Sequence, residues 1–507
     1  MPLLKKHFSL SPLNDNPVVF DGASITGGLS HKDGFPTIKF SIPQQEALLE
    51  TQTLHLTGQI LVKQGDNTLF KETKVANDNL DNTANLTNRG ALNMPNFGGV
   101  KNIIDKVVIQ SKKSLVEISS AINYSQFEAL VECYHYNSND YLMTPLSRGL
   151  ASGSHATNIN RNMLASANHT DVAVLTGDSD PAIGQFFTIK INTDLLNTLP
   201  LHLGQEFMGG LLLTIHLAPD SAFFNTRHRS RDVGNQPNCN FAQQVNYVLK
   251  NLKLEGRYVI PTPEENSRYP RAVMLNSRLN LINDVQSSIN SSSYTPQLQM
   301  VKSMVNLYLD NDQTNNVDKN ANNFRHPVGE TANQQAKNGL RFPFDYKTIM
   351  KPNFESEIVQ NGAFAGLNVD VANLQDKGSA MGDVEIRKQF ERALLGGLEP
   401  YHSSANLSLM KESLEQDYDA AAAGVNGVGD NTKPNCIGIG ADFTFGMGGI
   451  QNFVNQDYNL TLESGVNTGK ATLPASRNGN AVLNPLLQQT FVRHGANLNF
   501  QNLVKTI

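Results

Sequence analysis

Residues 53–63 read TLHLTGQILVK, and the period-two alternation in this stretch limits what the chain can build more than any other feature. Leu54, Leu56, Gly58, Ile60 and Val62 fall on one parity, with Thr53, His55, Thr57, Gln59 and Lys63 on the other. Successive strand residues point to opposite faces, so the spacing predicts a strand with one face in a core and the other toward water. The pattern recurs in FFTIKIN (Phe187, Ile189, Ile191), GGLLLTIHLA (Leu211, Leu213, Ile215, Leu217), VKSMVNLYLDN (Val301, Val305, Leu307, Leu309), IGIGADFTF (Ile437, Ile439, Phe443) and YNLTLES (Leu460, Leu462). Each reads as a half-buried strand of an antiparallel sheet.

Helical signals are few. In YSQFEALVECYHY, Ser125 with Glu128 three residues on forms a capping box, followed by a stripe of Phe127, Leu130, Val131 and Tyr134. A second helix is predicted in DVEIRKQFERALLGG, where Gly396 and Gly397 supply the stop. Both lie among strands, which points to an all-β sandwich with helical inserts rather than repeating βαβ units. Long Asn-, Gly- and Asp-rich tracts at 64–98, 138–184, 220–242, 310–338, 362–382, 415–435 and 464–488 separate the strands. Loops of such length are functional or disordered in most proteins. A Pro-rich stretch at 261–275 divides two similar amounts of β-pattern, giving an N-terminal arm at 1–35 and β units at 36–263 and 264–507.

Composition narrows the class. The 507 residues carry 41 Lys and Arg against 46 Asp and Glu, a net charge of −5, so the surface as a whole is not built to neutralise phosphate. Cys133, Cys239 and Cys436 are widely spaced and outline neither a disulfide framework nor a CxxC metal site. The residues after Lys5 and Lys6 lack the apolar run of a signal peptide. No window reaches the roughly 18 consecutive apolar residues of a membrane span. A protein kept in the cytosol or nucleus is the expectation.

Motifs for catalysis fail on inspection. Asp310 and Asp312 resemble the start of a calcium loop, yet Asn315 and Ala321 stand where glycine and an acid are needed. Gly465, Gly469 and Lys470 are one residue short of a P-loop, and Ala471 replaces its hydroxyl residue. There is no GxSxG, HExxH or complete GxGxxG. No catalytic, cofactor-binding or metal-ligating residue is therefore predicted. The basic residues left as candidate contacts are Lys5, Lys6 and His7 near the start, and Arg227, His228, Arg229 and Arg231 in NTRHRSRD. They suit phosphate or an acidic partner, and equally a frayed tail and a solvated loop.

The order of segments is more informative than any one of them. FSIPQQEALLETQTLHLTGQILVK, NFGGVKNIIDKVVIQ, INYSQFEALVECYHY, FFTIKINTDLLNTLPLHLGQEFMGGLLLTIHLAP and YVLKNLKLEGRYVIP resemble, in that order, the first jelly roll of double jelly-roll major capsid proteins of the polinton-like virus and virophage type. LQMVKSMVNLYLDND, LRFPFDY, DVEIRKQFERALLGG, IGIGADFTFGMGGIQNFVNQDYNLTLESG and TFVRHGANLNF resemble the second. The resemblance implies two eight-stranded antiparallel jelly-roll sandwiches side by side. It also implies a homotrimeric, pseudo-hexagonal capsomer tiling an icosahedral shell around double-stranded DNA, with no enzymatic activity, cofactor or small-molecule substrate. The implied partners are other copies of the chain, penton and minor capsid proteins, and, through Lys5, Lys6 and His7 on the inner side, the genome or a membrane. The implied location is the virion, assembled in host cytoplasm or nucleus. Two other readings stay open from the alternation alone: a carbohydrate-binding or carbohydrate-active β-sandwich, and a viral attachment protein.

Overall fold

The structure is a computed structural model that describes residues 4–21, 24–32, 36–64, 99–135, 185–193, 195–196, 200–204, 208–220, 245–264, 274–287, 292–294, 301–310, 344–352, 436–442, 458–466 and 486–498. The strands run β1 (Leu4–Leu10), β2 (Val19–Asp21), β3 (Ser24–Thr26), β4 (Thr37–Ile42), β5 (Leu48–Leu49), β6 (His55–Gln64), β7 (Ile104–Ser111), β8 (Glu117–Ile122), β9 (Gln185–Lys190), β10 (Leu201–His202), β11 (Leu211–Leu217) and β12 (Val245–Ile260). They continue as β13 (Met274–Ser287), β14 (Ser292–Tyr294), β15 (Val301–Asp310), β16 (Phe344–Pro352), β17 (Cys436–Asp442), β18 (Tyr458–Val466) and β19 (Leu486–Leu498). One α-helix, α1 (Tyr124–His135), and two 3-10 turns, Thr51–Thr53 and Gly99–Ile103, complete the described elements. The class is all-β, as the alternation predicts. The second predicted helix lies outside the described residues.

Two layers face each other. One is a six-stranded sheet in the order β10-β5-β12-β6-β9, with β1 on the free side of β12. The other belongs to an eight-stranded sheet in the order β17-β15-β19-β13-β8-β7-β11-β4. Phe40 of β4, Ile109 of β7 and Leu213 of β11 meet Leu56 of β6, Ile189 of β9 and Leu254 of β12 in one buried cluster. This is sheet-on-sheet packing, with alternate residues of each strand turned inward. Each such side chain contributes roughly 1.5–3 kcal/mol of transfer free energy.

The alternation in β6 holds only for its first half. Beyond Gly58, Gln59, Leu61 and Lys63 are buried as well, at 8%, 0% and 3% exposure. Their face is covered by a piece of chain that the local pattern gives no hint of. Leu61 and Val248 form a second small cluster, capped by Val18 and Phe20. The covering hairpin β2–β3 can sit this close because Gly28, at φ +81, brings bare backbone onto the sheet; a Cβ there would lie 2.0 Å from Val248 Cγ1.

The eight-stranded sheet takes β4, β7, β8 and β11 from residues 37–217 and β13, β15, β17 and β19 from residues 274–498. The join is β8 with β13, a parallel pairing of Ser119, Ser120 and Ala121 with Ser277, Arg278 and Leu279. A parallel pair requires a long crossover, and here α1 and β9–β12 lie between the two strands in sequence. Beside the join, Phe127 of α1 meets Phe491 of β19 at a ring-centroid separation of 5.3 Å and 56° between planes. The Arg493 guanidinium lies 4.9 Å from the Phe127 ring centre. Phe491 and Val305 belong to the same buried cluster as the facing layers.

Candidate assembly surfaces

Lys5, Lys6 and His7 lie in a strand. β1 pairs antiparallel with β12 from Leu4 opposite Ile260 to Leu10 opposite Leu254. Phe8 and Leu10 pack against the main core, and the Phe8 ring stacks on Tyr258 at 4.4 Å and 24°. The residue opposite Phe8 is Gly256, where a Cβ would stand 2.7 Å from the Phe8 ring. Burial pushes the Tyr258 hydroxyl up to about 12. Farther on, Leu13 N donates to Lys39 O at 2.8 Å, and Asn14 bonds Thr37 O (2.6 Å) and Lys39 N (3.1 Å), which satisfies the outer edge of β4. Residues 4–14 thus run from the edge of one sheet to the edge of the other and close the side of the sandwich.

The three basic residues do not converge. Lys5 and His7 share the outer parity of β1, while Lys6 shares the parity of Phe8. Lys5 Nζ binds Glu50 Oε1 at 2.9 Å, and Arg257 Nε reaches Glu50 Oε2 at 2.9 Å. The hydrogen bond from Lys5, aided by Arg257 and opposed by burial, holds the Glu50 carboxyl below its ordinary value of 4.5. A depressed carboxyl contributes stability above the unfolded value and loses it as pH falls through the folded value. Glu50→Gln is accordingly expected to melt below wild type at pH 7, with the gap closing as pH drops below 4.5. Calorimetry across that range checks this, and a constant gap would remove the clip. Arg227, His228, Arg229 and Arg231 lie outside the described residues.

A second polar group was not signalled by sequence. Glu128 Oε2 accepts from Lys101 Nζ and from Asn192 Nδ2, both at 3.0 Å, in a buried setting. Asn192 N donates to Tyr124 Oη at 2.8 Å. These bonds tie α1, the Gly99–Ile103 turn and the end of β9 together. The helix begins at Tyr124, one residue ahead of the expected Ser125 cap, and the Glu128 carboxylate turns to Lys101. Burial pushes the nearby Lys190 ammonium below its usual range; Glu128 opposes that shift and Lys101 adds to it.

The β7–β8 turn is the third feature. Leu115 takes φ +56, a left-handed conformation that costs a non-glycine residue roughly 1–2 kcal/mol. The turn is nevertheless firmly held: Leu115 N donates to Ser111 O (2.8 Å), Ser111 N to Val116 O (3.1 Å) and Ser111 Oγ to Met208 O (2.9 Å). Lys112 N and Lys113 N donate to Gly210 O and Met208 O, both at 3.1 Å. Leu115 is 66% exposed and Val116 37%.

Among the described residues no three or more His, Cys, Asp or Glu side chains gather as a metal site, and no helix is long and apolar enough to cross a membrane. No family model matches the chain, and no curated protein does. Solved structures do. The chain is similar to PBCV-1 VP54, as fitted into a reconstruction of the virophage Sputnik, at 10% identity over 98% of this chain and 95% of that one, TM-score 0.44. It is similar to a chain of the Sputnik virophage determined by cryo-EM at 10% identity over 99% and 87%, TM-score 0.46. It is also similar to the mavirus major capsid protein at 8% identity over 97% and 87%, TM-score 0.37.

Proposed function

We propose that this chain is a major capsid protein of the double jelly-roll type, a structural protein of a virion with no catalytic role. The observation that carries the reading is the eight-stranded sheet, which runs without a break from the strands of residues 37–217 into those of 274–498. A sheet shared in this way fixes two β units side by side in one rigid polypeptide. Three copies around a threefold axis would set six units in a ring, a pseudo-hexagonal tile able to cover an icosahedral shell around double-stranded DNA. The division at residues 263 and 264 belongs to this proposal. A net charge of −5 limits repulsion across the many repeated contacts of such a shell. Penton and minor capsid proteins are the further partners, and host cytoplasm or nucleus the place of assembly.

The test is native mass by light scattering, with negative-stain images of the same fractions. A compact trimer of hexagonal outline or closed shells is expected, and a chain that stays monomeric at all concentrations overturns the reading. Inner-face contact through the N-terminal strand falls to Lys6 and His7, because Lys5 is engaged with Glu50. Deleting residues 1–12 would also strip Phe8 from the sandwich wall. Lys6→Glu with His7→Glu is the cleaner variant: trimers of normal stability with reduced yield of filled particles are expected, and an unchanged yield removes the contact.

A further inference from the structure

We propose that Lys101 and Asn192 become joined by a covalent amide bond within the chain, with Glu128 as the proton carrier between them. This modification site stands apart from the shell-building reading. Lys101 Nζ and Asn192 Nδ2 both donate to Glu128 Oε2, at 3.0 Å each, so one oxygen atom holds an amine and a carboxamide side by side. An ionised carboxylate only accepts, which turns the amide nitrogen, the atom that must leave, toward Glu128. The Lys101 and Glu128 side chains are just 8% and 9% exposed. Val100 and Ile103 on one side of the group and Ile191 on the other belong to the main buried cluster. Tyr124, itself buried, accepts from Asn192 N at 2.8 Å and fixes the backbone of the residue to be attacked. Groups held together in this way react as though highly concentrated.

The step balances within the chain. Lys101 Nζ passes a proton to Glu128, a transfer that burial assists because it turns a desolvated ion pair into two neutral groups. Lys190, a second ammonium nearby, adds repulsion against charge on Lys101. The neutral amine attacks Asn192 Cγ; the Nζ–Cγ bond forms and the Cγ–Nδ2 bond breaks. Two protons in all travel from Nζ by way of Glu128 to Nδ2, which departs as ammonium, and the carboxylate is restored. Nothing is oxidised or reduced, and each chain reacts once, without turnover. The step follows folding, so the newly folded chain carries the ion pair and the matured chain the bond. That bond ties the Gly99–Ile103 turn to the end of β9 and closes a loop of sequence that includes α1, which constrains the unfolded chain.

The test is the intact mass of the full wild-type chain, followed from fresh to aged samples. The loss of one ammonia is expected, with proteolysis yielding a branched peptide that links Lys101 to Asn192 and a melting midpoint that rises as the bond accumulates. Glu128→Gln, close in size and uncharged, is expected to slow the reaction about a hundredfold or more. Lys101→Met is expected to abolish it. Circular dichroism checks that both variants fold, and wild type decides the matter without them: an aged sample that keeps its full sequence mass overturns the proposal. Ammonia lost at another asparagine, as in a succinimide, or a link that starts from Lys190 overturns it equally. Bond formation at the wild-type rate in folded Glu128→Gln overturns the part given to the carboxylate.

Discussion

Glu128→Leu is expected to destabilise the folded chain by about 3–5 kcal/mol, the cost of breaking a buried ion pair by removing one partner. The carboxylate accepts from both Lys101 and Asn192 at 3.0 Å, so its loss takes away two charge-assisted bonds at once. Two ammonium groups, Lys101 and Lys190, would then face each other without the carboxylate that offsets them. Lys101→Met combined with Glu128→Leu is expected to recover most of the loss, because apolar residues of similar size replace a buried pair at little cost. Denaturant titration of the single and double variants measures the difference. A double variant as unstable as Glu128→Leu would mean that the carboxylate matters for α1 itself and not for the pair.

Phe127→Ala is expected to cost about 3–5 kcal/mol and to loosen one half of the chain from the other. The side chain is buried in the shared cluster, touches Phe491 at 5.3 Å and presents its face to Arg493 at 4.9 Å. Truncation would leave a void and take from a buried guanidinium the ring it stacks on. The strand pairing at the join covers just three residues on each side, so these side chains supply much of what makes the two halves melt as one. Wild type is expected to give one calorimetric transition and Phe127→Ala two. A single transition, merely lowered, would show that the sheet alone couples the halves.

The strands were legible because their signal is local. Phe187, Ile189 and Ile191, or Leu211, Leu213 and Ile215, are buried as their spacing requires, and period two needs no knowledge of distant residues. The face of Gln59, Leu61 and Lys63 misled for the opposite reason: Leu61 on that face packs under Val18 and Phe20, some 40 positions earlier in the chain. The first residues read as a basic tail because Lys6 occupies a core parity between Leu4 and Phe8 and breaks the alternation. Only the facing strand, Leu254 to Ile260, makes that segment part of a wall. Glu128 looked like a helix cap since its partner Lys101 lies 27 residues away. Leu115 gave no sign of its left-handed conformation, since SKKSLV holds neither glycine, asparagine nor proline and its turn signal rests on Ser111 and Ser114 alone.

The strand order of the large sheet has a consequence for synthesis. β19 sits between β15 and β13, pairing with β15 from Val301 to Asp310 and with β13 from Met274 to Ser287. As the chain leaves the ribosome, β13 and β15 emerge with the place between them vacant, and the sheet joins up only when Leu486–Leu498 arrives. At roughly 5–20 residues per second, that is about ten seconds or more after β15 has been made. A product cut short before this strand can still set β13 beside β8, but it has no strand to link β15 and β17 to them and lacks Phe491 from the shared core. A chain that lacks its last strand therefore ends its large sheet at β13, so that finishing synthesis and finishing the fold are the same event.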